Sequence, residues 1–276
     1  MTFKDGLRFG MVQGRLIQSP LGQLQWFPQD YWHAEFFLAA ELGVDYIELI
    51  AERNHNPDNP LWSEEGIRRL NALVKSNGLS LHAFCNDYIV DHALPRGDQV
   101  LEQNLCLIER GALLGCEKYI LPLFEQSELT TENVDEYVSP LRVIADKASE
   151  SGITVCLETV LNGTQLIHVL DRINHPAVSV VYDTGNRVSY GHDLPGDIRL
   201  LGSLISHVHI KDKNATNENV ILGTGLVNFL HVFEALADIG YDGPYTLETH
   251  RGKNPLRTAA YNMGLVKFFH AEGFSR

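Results

Sequence analysis

The sequence predicts a single-domain (β/α)8 TIM barrel spanning residues 1–276. Three observations carry that expectation. Eight short apolar runs alternate with amphipathic stretches of helical length, an order that calls for a parallel sheet with helical crossovers. The ends of those runs, taken at Gln13, Glu48, Phe84, Leu123, Glu158, Asp183, His209 and Glu248, stand between 25 and 39 residues apart, the cadence of a repeated βα unit. An open doubly wound sheet is disfavoured because no G-x-G-x-x-G turn follows the first run.

Taken in order, the chain opens with the strand RFGMVQ and a helix near 30–42. DYIELI is the second strand. The helix after it, 62–77, opens on Ser63 with Glu64 and Glu65 and stops at Asn77-Gly78, acceptor and acidic groups at its start and a left-handed-tolerant pair at its end. LSLHAF precedes a helix at 98–114, and EKYILPLF precedes one at 133–150 that Ser151-Gly152 closes. ITVCLE and a helix at 164–172 come next, then VSVVYD with only a short helix near 196–202. ISHVHIK with a helix at 226–239 and PYTLET with a helix at 257–271 complete eight units. No linker or low-complexity tract divides them.

Composition bounds the function. Apolar residues at 44% and charged residues at 21% are ordinary for a soluble globular enzyme. No window reaches the roughly 18 apolar residues of a membrane span. The N-terminal MTFKDGLRFG lacks the pattern of a signal peptide, so a cytoplasmic address is expected. Cys85, Cys106, Cys116 and Cys156 are widely spaced and are expected to be reduced and mostly buried. With 22 basic and 35 acidic residues the formal charge is −13, which opposes binding to a phosphate backbone. Neither nucleic acid nor membrane is an expected partner.

Barrel chemistry sits at the C-terminal ends of the strands. Glu158, Asp183, His209 and Glu248 end strands five to eight and therefore converge on one wall of the mouth. One carboxylate at a strand end is ordinarily a helix cap or half of an ion pair; several crowded together need a cation. Three carboxylates and one imidazole suit Mn²⁺ best, with Mg²⁺ or Co²⁺ close behind and Zn²⁺ a further candidate. His207 lies on the same strand face as His209. It is expected one layer deeper, as a hydrogen-bonded core histidine or as support for a ligand. Lys211, on the same side nearer the rim, is a candidate for substrate contact or carboxylate pairing.

The second half of the chain, about residues 150–255, resembles the xylose-isomerase-like TIM barrels, a superfamily of sugar isomerases and epimerases with distant apurinic endonuclease relatives. VVYDTGNRVSYGHD, HVHIKDK, GTGLVNF and YTLETHRGK look most like the L-ribulose- and L-xylulose-5-phosphate 3-epimerases, and less closely like the D-tagatose and D-psicose 3-epimerases. The resemblance implies that Glu158, Asp183, His209 and Glu248 bind the metal. Asn186 stands where the free-sugar epimerases carry a histidine, which turns the reading toward the phosphopentulose branch. The extra His and Asp ligands of the endonucleases are missing, so DNA repair is not expected. The implied reaction is C3, or C1/C2, proton transfer through a metal-bound enediolate, with Glu158 and Glu248 flanking the sugar as acid and base.

Further candidates surround this set. Gly223 and Gly225 precede a helix after strand seven and are read either as a structural turn or as phosphate-binding backbone. Arg251 and Lys253 follow Glu248. Gln13, Arg15, Glu48, Glu52, Arg53, His82, Asn86 and Asp87 are candidates for hydroxyl recognition on the opposite wall. The substrate-binding set expected from these readings is Asn186, Lys211, Arg251, Glu52 and His82. Trp26, Phe27, Trp32 and Trp62 are expected mostly in helix-side packing. The partner expected is a small sugar or sugar phosphate, and the family's habit implies a homo-oligomer, dimer or tetramer. Two rival readings use the same residues: a metal-dependent lyase or eliminase on a 3-keto sugar or glycoside, and a sugar-binding barrel without turnover.

Overall fold

The structure, a computed structural model, describes residues 7–20 and 23–275. Eight strands form one closed barrel in sequential order, β1 (Phe9–Val12), β2 (Tyr46–Ala51), β3 (Ala83–Asn86), β4 (Lys118–Pro122), β5 (Thr154–Glu158), β6 (Val178–Asp183), β7 (Ile205–Ile210) and β8 (Tyr245–Leu247). Every neighbouring pair is parallel, and β8 closes onto β1 with Phe9 opposite Tyr245. The connecting helices are α1 (Ala34–Leu42), α2 (Glu64–Asn77), α3 (Tyr88–Asp91), α4 (Asp98–Leu113), α5 (Val134–Glu150), α6 (Gly163–Ile173), α7 (Thr184–Ser189), α8 (Leu194–Leu201), α9 (Phe229–Asp238) and α10 (Pro255–Gly273).

The stop and start groups read from the sequence work as expected. Ser63 Oγ accepts from the N–H of Gly66 and opens α2, and Gly78 ends it in the left-handed region. The core has two layers, one inside the barrel and one between strands and helices. Trp32 belongs to the second, edge-on to Phe36 and beneath the Arg69 guanidinium. Trp62 packs against the same core from its margin, whereas Trp26 and Phe27 line a cavity at the barrel mouth.

Two features depart from the sequence reading. LSLHAF, residues 79–84, is not the third strand: Leu79–His82 runs extended with a single bridge from Ser80 to Tyr46, and pairing begins at Ala83. The alternation of apolar and polar residues there reflects a chain climbing to the barrel floor rather than a ladder. The unit after β6 also contains α7, which begins directly at the strand end because the Asp183 side chain caps it, accepting from the N–H of Asn186 at 2.7 Å.

Register positions the site. Between β6 and β7, Val180 faces Ile205 while Val181 faces His207, so Ser206 is one residue more than its partner strand supplies. That irregularity places His207 beside Val181 and His209 beside Asp183, with His209 in turn opposite Thr246 of β8.

Candidate metal centre and active site

Glu158 ends β5, Asp183 ends β6, His209 lies near the end of β7, and Glu248 follows β8. One ligand atom from each lies within 4.8 Å of all the others. All four are buried. Glu158, His209 and Glu248 border a cavity of about 130 Å³ at the C-terminal mouth, shared with Asn186 and Lys211.

Three buried carboxylates in one cluster repel one another, and the neighbouring cations divide them unequally. Lys211 Nζ stands 2.8 Å from Glu248 Oε2 and 3.3 Å from Asp183 Oδ2. Arg15 Nη2 is 3.1 Å from Glu248 Oε1, and the same guanidinium is held by Gln25 and the carbonyl of Leu24. Among the described residues no cation pairs directly with Glu158, although His209 and Lys211 act on it from farther off; its Oε1 accepts from Asn186 Nδ2 at 3.0 Å. The titration of the two glutamates diverges accordingly. Burial, with repulsion from Glu248, pushes the Glu158 carboxyl well above the usual carboxylate range. Burial acts upward on Glu248 as well, but Lys211, His209 and Arg15 together hold it well below that range.

The donor set fits a divalent cation. His209 Nδ1 and Nε2 are both buried without an aligned hydrogen bond, although Glu248 Oε2 and Glu48 Oε1 stand 3.4 and 3.0 Å away. A buried imidazole with unsatisfied nitrogens among three carboxylates matches the oxygen-rich, one-nitrogen coordination that hard to borderline divalent ions take.

The substrate-binding set read from the sequence is only partly brought together. Asn186 and Lys211 stand at the cavity, Asn186 joined to both Asp183 and Glu158. Gly185 permits this approach, since a Cβ there would meet the Lys211 stem at 2.6 Å. Glu52 lies in an annex of about 490 Å³ beside the mouth, accepting from Asn56 and Asn59. Arg53 and Asp87 border both spaces. Burial pushes the Asp87 carboxyl up to about 6.

Two expectations need correction, and one open alternative closes. His82 is not at the mouth: β3 starts only at Ala83, so His82 precedes the strand and sits at the barrel floor. It stacks on His207, pairs with Glu117 and borders a cavity with Arg8 and Lys118. Arg251 is buried and faces the β1–α1 loop, donating Nε to the carbonyl of Gly14 and Nη1 to that of Gln23. Its task is to hold that loop. The N–H groups of Gly223 and Gly225 are consumed by Asp212 Oδ2 at 3.0 and 2.9 Å, so that backbone is a structural turn and not a phosphate cradle. Asn86 likewise turns outward to Gln103, Asn104 and Tyr119.

Sequence reasoning passed over Cys85, Pro122 and Phe124, which form apolar wall at the cavity. It also set Glu48 at a strand end, whereas Glu48 is in the middle of β2, 1% exposed, with its carboxylate on His207 and His209. The clue available was a lone acid flanked by apolar residues in YIELI, a position where a carboxylate persists only with buried partners.

The comparisons with known proteins agree with this geometry. The L-ribulose-5-phosphate 3-epimerase UlaE of Salmonella heidelberg (strain SL476) is 24% identical over 253 residues, covering 86% of this chain and 89% of the relative. The structure of D-psicose 3-epimerase with D-tagatose from Clostridium cellulolyticum H10 superposes with a TM-score of 0.74 at 19% identity, covering 96% of this chain and 99% of the other. A xylose isomerase-like TIM barrel protein from Mycobacterium smegmatis in complex with magnesium gives a TM-score of 0.74 at 18% identity, with 97% of each chain covered. A family model described as xylose isomerase-like TIM barrel matches residues 36–267. With most of its length matched by that model, this chain belongs to the xylose isomerase-like TIM barrel family.

Proposed function

We propose that the protein is a divalent-metal-dependent epimerase of a ketose or ketose phosphate that inverts C3 by proton transfer between Glu248 and Glu158. The observation that carries this reading is a pair of glutamates, Glu158 and Glu248, facing one cavity within a cluster of four candidate metal-binding side chains. Glu158, Asp183, His209 and Glu248 would hold the cation, Mn²⁺ foremost, which when bound polarises the sugar carbonyl and stabilises negative charge on its oxygens. Glu248, kept ionised by Lys211, His209 and Arg15, is suited to accept the C3 proton. Glu158, held by Asn186, is suited to donate one from the other side, and the roles exchange in the reverse direction. Asn186 orients Glu158 by its 3.0 Å hydrogen bond. Val12, Cys85, Val90, Pro122 and Phe124 keep the space between them apolar.

A sugar phosphate is the favoured substrate class, supported by the named activity of the Salmonella relative and by a second cavity of about 290 Å³ that shares Asn186 with the first. Its walls include Tyr190, the half-buried Lys213, whose Nζ is 2.8 Å from Asn217 Oδ1, and Glu125 and Glu128. Lys213 and Tyr190 are the groups there that suit the distal, anionic end of a phosphorylated ketose, while of the two glutamates on the same walls Glu125 is paired with Arg53. A cytoplasmic address fits the four free thiols. A homo-oligomer is part of the same proposal, with exposed Leu226 and Tyr261 as available contact residues.

The test is deuterium exchange at C3. Protein loaded with Mn²⁺ is incubated in D₂O with L-ribulose 5-phosphate, L-ribulose and D-tagatose, and the products are read by NMR. Exchange and epimer formation are expected for the phosphate, with Glu158→Gln and Glu248→Gln each slowing it at least ~10²-fold. No exchange with any of the three would sink the epimerase reading. Release of a leaving group instead would decide for a lyase.

A further inference from the structure

We propose that Glu48 is a positioning residue for metal capture: from inside the barrel its carboxylate holds the Nε2 edge of His209, which leaves Nδ1 as the nitrogen presented to the cation. The inference rests on the metal set described above and adds which nitrogen of His209 binds and what makes it do so. Glu48 Oε1 is 3.0 Å from His209 Nε2, a close approach that a small turn of the ring would align as a hydrogen bond, and Glu48 Oε2 is hydrogen-bonded to His207 Nε2 at 2.8 Å. The opposite edge of His209 faces the ligand cluster, with Nδ1 3.4 Å from Glu248 Oε2. The carboxylate and the cation therefore address different nitrogens of one ring.

The support extends downward. His207 Nε2 also contacts Thr246 Oγ1 at 3.0 Å, and Thr246 is hydrogen-bonded to the Tyr46 hydroxyl. Glu48 thus stands on a buried column of Tyr46, Thr246 and His207, each nearly inaccessible to solvent, and the column fixes the height and tilt of the His209 ring. A metal-bound imidazole that donates its other N–H to a carboxylate is held in one tautomer and made a stronger ligand. Core packing alone does not account for Glu48. Its place in the middle of a strand on the barrel axis is one where an apolar residue would fill the space without desolvating a charge.

Three measurements test this. In zinc-loaded protein, long-range ¹H–¹⁵N spectra of the imidazoles are expected to show the His209 proton on Nε2 and the metal on Nδ1. The reverse assignment overturns the proposal without recourse to any variant. Co²⁺ titration followed by calorimetry and visible absorption is then compared for wild type, Glu48→Gln and Glu48→Leu. Glu48→Leu is expected to weaken Co²⁺ binding 10- to 100-fold and to alter the d–d bands, while stoichiometry stays at one. Glu48→Gln, whose amide oxygen still accepts from Nε2–H, is expected to recover most of the affinity and the wild-type spectrum. Unchanged affinity and spectrum in Glu48→Leu, with circular dichroism showing it folded, would remove the positioning role and leave the metal reading intact. Two Co²⁺ per wild-type chain falling to one in Glu48→Leu would make Glu48 a ligand and overturn the proposal. No Co²⁺ binding by wild type would overturn both readings.

Discussion

Asn186 shows how one residue can serve two ligands. Its backbone N–H is fixed by Asp183 and its side-chain amide by Glu158, so Asn186→Ala should loosen Glu158 without removing a ligand, lowering kcat by about tenfold to a hundredfold. Steady-state kinetics with saturating metal check this; loss confined to KM would contradict it. Glu35 is a second instructive residue. It is 1% exposed on α1, accepts from the N–H groups of Gly14 and Leu16 at 2.7 and 3.1 Å, and burial pushes its carboxyl up to about 7 from an ordinary 4.5. An acid whose folded pKa is raised binds more protons folded than unfolded, so its contribution to stability falls as pH rises from about 4.5 to about 7. The loss is roughly 3 kcal/mol at most. Urea unfolding at pH 5 and pH 8 should show wild type losing more stability over that interval than Glu35→Gln, and parallel curves would refute the assignment. At this scale the four candidate ligands were legible because each ends an apolar run. Arg15 and Glu48 were named as candidates on the opposite wall, but their pairings were not legible, because their partners lie 233 and 159 residues away and nothing local marks them.

Among the elements, the loop between β7 and α9 is held from within. Asp212, fully buried at the end of HVHIKD, accepts from the N–H groups of Gly223, Gly225 and Val227. A side chain at position 225 would meet Asp212 Oδ1 at 2.3 Å and the Lys213 carbonyl at 2.5 Å, which is the reason for glycine there. Asp212→Ala should cost on the order of 3 kcal/mol and raise amide exchange rates at those three positions, with little change at α5 on the far side. Uniform acceleration across the barrel would instead mean global destabilisation. The G-x-G motif was visible in the sequence, and its two readings diverged only because the acceptor for its N–H groups comes from more than ten residues upstream. Helix α7 was missed for a related reason: six residues are too few for a hydrophobic period, and the cap that starts it is Asp183, already read as a ligand.

At the level of the whole molecule, barrel closure brings the site together. β8 pairs with both β7 and β1, so Glu248 joins the other ligands on one side while Arg15, from the loop after β1, reaches it from the other. A cation bound only by the folded barrel should therefore stabilise it, by about 2.7 kcal/mol at a hundred times its Kd. Calorimetry of chelator-treated protein with and without Mn²⁺ should show a Tm several degrees higher with metal, a difference that Asp183→Ala diminishes. Equal Tm values would mean that no such site is formed. By itself the sequence determined the eightfold βα repeat, the ends of strands five to eight to within a residue, and the chemical character of the four converging residues. Those depend on local periodicity and on side-chain chemistry, which a linear pattern records. Only the tertiary structure decided that Arg251 and Gly223 serve the scaffold, that His82 lies at the floor, and that Glu48 stands beneath His209. Each of those outcomes turns on a register shift of one or two residues or on a partner brought near by closure, and side chains in a strand reverse their facing with every residue.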